Sequence, residues 1–150
     1  MAKTKFLDEA LDGLYARLNE VGGDPLELPS VLRPPILLMT MQAKIDNGGI
    51  RYPMEGDFPF TPPYSVFADA YRAIGANDAA DRFDEAVAMF PFEHPEREAD
   101  KREEFMSSLD DDHRFFQLGN ALCGDESIWR LLDEYVKEHA EAFGLRDQKV

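Results

Sequence analysis

Cysteine is nearly absent from this chain. Cys123 stands alone, so no disulfide can close within the sequence and no cysteine-based zinc centre can form. Long apolar runs are missing too: none approaches the ~20 residues of a membrane-spanning helix. Asp8, Glu9 and Asp12 interrupt the N-terminal stretch where the apolar core of a secretory signal would lie. The expectation is a cytoplasmic protein without a membrane contact. Positive charge is the third shortage, with 16 Lys and Arg against 30 Asp and Glu and a formal charge of −14. A field of that sign repels nucleic acid and anionic membranes and attracts basic surfaces. It argues against direct nucleic-acid binding and for a cationic protein partner, although an acid excess also serves simply to keep a protein dispersed.

Motifs of catalysis and ligation are also wanting. His94, His113 and His139 include no pair at the spacing of a helical metal motif. Asp110-Asp111-Asp112 resembles a metal cluster at first sight. Consecutive side chains on a helix diverge, however, and the run lacks the alternating spacing and internal glycine of a calcium loop. It is better read as a helix N-terminus, where carboxylates meet free amides and a favourable dipole. No phosphate-binding glycine loop or nucleophile elbow occurs, and Arg51 is the one basic residue placed to complete a cradle at Gly48-Gly49. No metal, cofactor or catalytic residue is assigned, and the expected role is non-enzymatic binding.

What the chain does have is helical periodicity, over a length suited to one compact domain spanning 1–150. Thr4 can cap a first helix that carries Leu7, Leu11, Leu14, Leu18 and Val21 on one face and ends at Gly22-Gly23. Pro34 and Pro35 suit the first turn of a second, carried by Leu37, Leu38, Met41 and Ile45 and stopped at Asn47-Gly48-Gly49. A loop with Pro53, Gly56, Pro59, Pro62 and Pro63 follows. Tyr64, Phe67, Ala70, Tyr71 and Ile74 mark a third helix, and Asn77 can cap a fourth with Ala80, Phe83, Val87 and Phe90 buried. Residues 96–109 read as helical but mostly charged, with Arg97, Lys101 and Arg102 placed to pair with Glu93 and Glu98. Phe115, Phe116 and Leu118 follow the aspartate run. Asp125 caps a last helix with a core face from Ile128 through Tyr135 to Phe143, with Trp129 at the core edge. The fold class is therefore all-α, a bundle of six or seven helices with a long Pro-rich loop after the second.

Tyr52, Phe58 and Phe60 lie in that loop, where aromatic rings either anchor the segment to the core or are offered to a partner. One reading is thus a helical domain that binds a peptide or small ligand through the loop at 47–63.

A second reading comes from resemblance. Asn47-Gly48-Gly49 at a helix end, Ile74-Gly75-Ala76 further on, Leu109-Asp110-Asp111 with Phe115 and Phe116 behind, and a closing helix with Tyr135, His139 and Phe143 resemble the neisserial DNA-mimic protein family. The likeness covers most of residues 36–143. Where that family continues its glycine pair with an aromatic and then a Gln-aromatic-aromatic run, this chain has Ile50-Arg51-Tyr52-Pro53-Met54. The resemblance implies an all-helical acidic protein whose carboxylates imitate DNA phosphates and occupy the basic surface of a DNA-binding protein or transcription factor. The candidate row is then Glu126, Asp133, Glu134, Glu138 and Glu141 on the last helix. Glu134, Glu138 and Glu141 share one face at i, i+4, i+7 spacing, Asp133 is angularly offset, and Asp110, Asp111 and Asp112 could extend the patch. An ordinary solvated face would have the same composition.

Overall fold

The computed structural model describes residues 5–145, and all regular structure among them is helical. Eight α-helices follow in order: α1 (Lys5–Glu20), α2 (Arg33–Gly48), α3 (Arg51–Met54), α4 (Ser65–Ala73), α5 (Asn77–Ala88), α6 (Ala99–Ser107), α7 (Arg114–Leu122) and α8 (Glu126–Glu138). Three short 3₁₀ turns punctuate the connections at Pro25–Glu27, Ser30–Leu32 and Pro95–Arg97. The all-α expectation is met. The additional helix is α3, a single turn inside the Pro-rich segment. Pro53 fits there because the amides of a first turn need no intrahelical partner.

The centre of the fold is α2, which packs against α1, α3, α4, α7 and α8. Its buried residues run from Pro34 through Leu38 to Met41, Gln42 and Ile45, most of the way around the helix, as a helix enclosed by neighbours requires. Pro34 and Pro35 occupy its first turn as expected. Gly49 ends it at φ +68°, with its N–H donating to the Ile45 carbonyl at 2.8 Å. Around α2, α4 pairs with α5, α5 with α7, and α8 with α1. Leu7, Ala10, Leu11 and Leu14 of α1 are buried as their spacing predicts. Tyr64, Phe67, Tyr71 and Phe83 form one ring cluster with centroids 6.1–6.5 Å apart, and Phe90, Phe105, Phe115 and Phe116 form another.

Several helix ends differ from expectation. Thr4 lies outside the described residues. Asn77 is the first residue of α5 and not its cap; Ala76 precedes it, and no side chain caps that end. Asp110–Asp112 are not the start of α7 either. They form a turn ahead of it, and His113 caps the helix through Nδ1, which accepts from the Phe115 N–H at 3.1 Å. Asp125 does cap α8, accepting from Ser127 N–H at 3.0 Å. That helix stops at Glu138, so His139 to Gly144 form a turn and Glu141 is not on α8. Trp129 is not at the core edge but fully buried.

Glycine 119 marks the tightest crossing. A Cβ there would overlap the Ile50 side chain, whereas a Cβ on helical, exposed Gly13 would meet nothing. Gly119→Ala is expected to destabilise the protein by about 1–3 kcal/mol through overpacking. Gly13→Ala is expected to stabilise it by ~0.5–1 kcal/mol through chain entropy. Urea denaturation of the two variants checks both signs.

Candidate functional site

Two polar assemblies, each with a fully buried member, hold the surfaces in question. The first surrounds Asp46, one residue before the Asn47-Gly48-Gly49 motif. Its Oδ1 accepts from Gln42 Nε2 and from the Gly124 N–H, both at 2.8 Å, and its Oδ2 accepts from Trp129 Nε1 at 2.9 Å. Gln42, fully buried, also donates to the Leu122 carbonyl at 2.8 Å and accepts from the Tyr71 hydroxyl at 2.7 Å. One carboxylate and one amide thereby bind α2 to α4, to the end of α7 and to α8. Every polar atom of the group is satisfied, as burial demands.

The second assembly fixes the Pro-rich loop. Arg102 of α6 is fully buried, and its guanidinium donates to the carbonyls of Met54 (2.9 Å), Gly56 (3.0 Å) and Pro95 (2.7 Å) and to Asp57 Oδ1 (2.9 Å). A buried guanidinium is tolerable only with its donors filled and a counter-charge beside it. The expected surface pair of Arg102 with Glu98 gives way to this latch; Lys101 lies 3.9 Å from Glu98 instead, and Arg97 pairs with Glu96 at 3.6 Å. Phe58 adds an apolar anchor, buried with its ring 5.0 Å from that of Phe67. Of the three loop aromatics, Phe58 therefore belongs to the core, while Tyr52 and Phe60 are exposed. Phe60 (φ +69°) and Thr61 (φ +39°) both sit in the left-handed region, which costs a non-glycine residue roughly 1–2 kcal/mol.

The glycine motif serves packing. Gly49 provides the positive φ, and a Cβ on Gly48 would lie 2.9 Å from Tyr52 Cβ, so α3 can fold back closely against the end of α2. Arg51 makes no phosphate cradle: it lies over the Phe116 ring at 5.1 Å, donates to the Met106 carbonyl at 3.3 Å and approaches Glu103 at 3.7 Å. Asp111 meets this region, lining a shallow depression of about 230 Å³ with Gly48, Gly49, Ile50, Arg51, Phe116 and Asn120.

The predicted acidic residues divide. Asp110, Asp111, Asp112, Glu126, Glu138 and Glu141 are exposed and make no ion pair among the described residues. Glu134 is exposed but lies 3.3 Å from Arg130. Asp133 is buried and lies 2.9 Å from Lys137, so it is no part of an exposed row. The 9 residues of α7 separate Asp110–Asp112 from the start of α8, about 13 Å of helix.

The cations explain why those acids remain unneutralised. Arg17 donates to the Ala142 carbonyl, Arg33 to the Leu26 and Leu28 carbonyls, and Arg51 and Arg102 to the carbonyls named above. Arg72 is held between Asp81 and Asp84, and Arg114 binds Glu85 through two nitrogens. The Arg114 hydrogen bonds hold the Glu85 carboxyl below the usual range. Much of the positive charge is thus committed to fastening the chain.

Known proteins bear on these surfaces at one level only. The model of the DMP19-like protein family matches residues 26–139, from the first 3₁₀ turn through the end of α8. The chain belongs to the DMP19-like family. No curated protein and no solved structure matches it. In this DMP19-like chain, no helix among the described residues is long and apolar enough to cross a membrane.

Two measurements test the polar assemblies. Asp46→Ala strands the Trp129 indole N–H, whereas the exposed Gly124 N–H can turn to water, and the change is expected to cost about 1–3 kcal/mol. Urea melts followed by Trp129 fluorescence read that loss. Burial also pushes the Tyr64 hydroxyl from 10.0 up to about 12, and raises Tyr71 as well. The unfolded chain ionises first, so this contribution is full below pH 10 and is lost as pH rises towards about 12. For Tyr64 alone the loss is about 2–3 kcal/mol by that pH. Urea midpoints across the alkaline range, with phenolate absorbance, check the direction.

Proposed function

We propose that the protein acts by binding, as an acidic decoy for the DNA-contacting surface of a basic DNA-binding protein. The observation that carries the reading is the division of charge. Several arginines are engaged by backbone carbonyls or by one or two carboxylates, while Asp110, Asp111, Asp112, Glu126, Glu138 and Glu141 stand exposed without an ion-pair partner among the described residues. Membership of a family named for a DNA mimic supports it. Duplex DNA presents about one charge per 1.7 Å of axis, and its binders recruit Lys and Arg to match. Glu134 and Glu138, one helical turn apart on α8 at about 6 Å, are a coarse substitute for a short piece of that row. The long-range field steers encounter, and the fixed positions of the acids select among basic partners.

Immobilised protein exposed to native lysate is expected to retain a basic DNA-binding protein at low salt. Duplex DNA should displace it, and retention should fall on the order of a hundredfold between about 50 and 200 mM salt. Neutralising Asp110, Asp111 and Asp112 together to Asn should weaken the recovered complex about tenfold or more. A complex indifferent to salt and to duplex DNA would exclude the decoy role.

A further inference from the structure

One apolar feature is left over from the charge pattern. Tyr15 and Leu18 of α1, Leu37 and Thr40 of α2, and Pro59 and Pro62 of the loop line a depression of about 120 Å³, floored by Phe58 and Phe67. Phe60 stands beside it, its Cε2 3.7 Å from where a Cβ would be on Gly23, which also lines the depression. Tyr15 and Phe60 are 46% and 57% exposed, among the most exposed large apolar side chains described.

The loop is built to hold Phe60 there. Arg102 clamps Met54, Gly56 and Asp57, Phe58 is sunk in the core, and Pro59, Pro62 and Pro63 limit the backbone on both sides. Under that bracing Phe60 and Thr61 adopt left-handed φ values that neither residue favours. With more than half of its surface in solvent, Phe60 returns little burial for that strain, and such strain concentrates where a surface makes contact.

We propose that this groove receives one apolar side chain from the basic protein whose charges meet the acids. The inference rests on the decoy reading and adds an anchor to it. The volume suits a single side chain of leucine size. Charge selects the occupant: a second copy would bring another −14 to the contact, whereas a basic partner brings the opposite sign. The rim agrees, because Asp12 lies one turn before Tyr15 on the same face of α1 and Asp24 caps the turn at Pro25. Lys44 lies 5.5 Å from the Phe58 ring centre.

The test uses two synthetic helical peptides rich in lysine and alanine, identical except that one carries a single leucine. The leucine peptide is expected to bind about tenfold more tightly than its twin. Phe60→Asp and, separately, Tyr15→Asp are expected to abolish that preference. Each substitution adds a carboxylate, so a purely electrostatic surface would bind both peptides more tightly. Asp tolerates the left-handed region better than Phe, so Phe60→Asp should melt no lower than the parent protein, which excludes unfolding as the cause. Equal, salt-sensitive binding of both peptides, strengthened by Phe60→Asp, would overturn the groove and leave the decoy reading standing. Binding of neither peptide would overturn both. A dimer in sedimentation that Phe60→Asp dissociates would assign the groove to a second copy and overturn the proposal.

Discussion

The constraint on which the fold turns is the burial of polar groups on α2. Gln42 is fully buried, one turn before half-buried Asp46, and its amide must find partners that water would otherwise supply; Asp46 meets it and carries the group outward. They find them on different elements: the Tyr71 hydroxyl on α4, the Leu122 carbonyl at the end of α7, the Gly124 amide and the Trp129 indole. Apolar packing alone tolerates small slips of one helix along another. Hydrogen bonds of 2.7–2.9 Å do not, so this group sets the register of α4, α7 and α8 on α2. The acids of α8 hold their places relative to the aspartate turn because of it.

That same requirement governs the charge distribution. A cation taken into a fold must be surrounded by acceptors, and backbone carbonyls of loops are the acceptors most available. Arg102, Arg33 and Arg17 all serve in this way. Arg102 is removed from the outer surface altogether and Arg33 in part, while exposed Arg17 only ties its guanidinium to the Ala142 carbonyl; all three fasten an irregular segment. Arg72, held by two carboxylates, and Arg114, held by one, likewise spend their charge on acids of the same chain and leave the unpaired acids less moderated. Fold stability and surface field are linked through the same arginines.

Much of the architecture was legible in the sequence. Leucine spacing in α1, the proline pair opening α2, Gly49 closing it and Asp125 capping α8 each follow from a local rule, and local rules suffice for helices. The errors arose where tertiary partners override local preference. The Asp110–Asp112 run has the composition of a helix start, yet His113 takes the cap, and Asn77 becomes the first residue of a helix instead of its cap. Asp133 lies one turn before Lys137, and burial removes it from the row it was expected to join. Arg102 was legible in principle. It shares the α6 face of Ala99 and Met106, and an arginine at an apolar position signals a buried cation. Asp46 gave a weaker signal, an i, i+4 partner of a glutamine on an otherwise apolar face.

The Pro-rich loop shows how these levels combine. Its prolines restrict the backbone, but they do not choose which restricted path the chain takes. Arg102 makes that choice by binding Met54, Gly56 and Asp57 together, and Phe58 completes it by entering the core. Between these fixed points and Pro62, the chain must reverse within a few residues, and Phe60 and Thr61 absorb the turn at positive φ. A glycine or asparagine at either position would meet the same geometry at lower conformational cost. The presence of a phenylalanine there cannot be derived from the needs of the turn. The groove proposed above gives the exposed ring a partner, and on that proposal this loop stands with the acids as surface the fold supports and does not itself require.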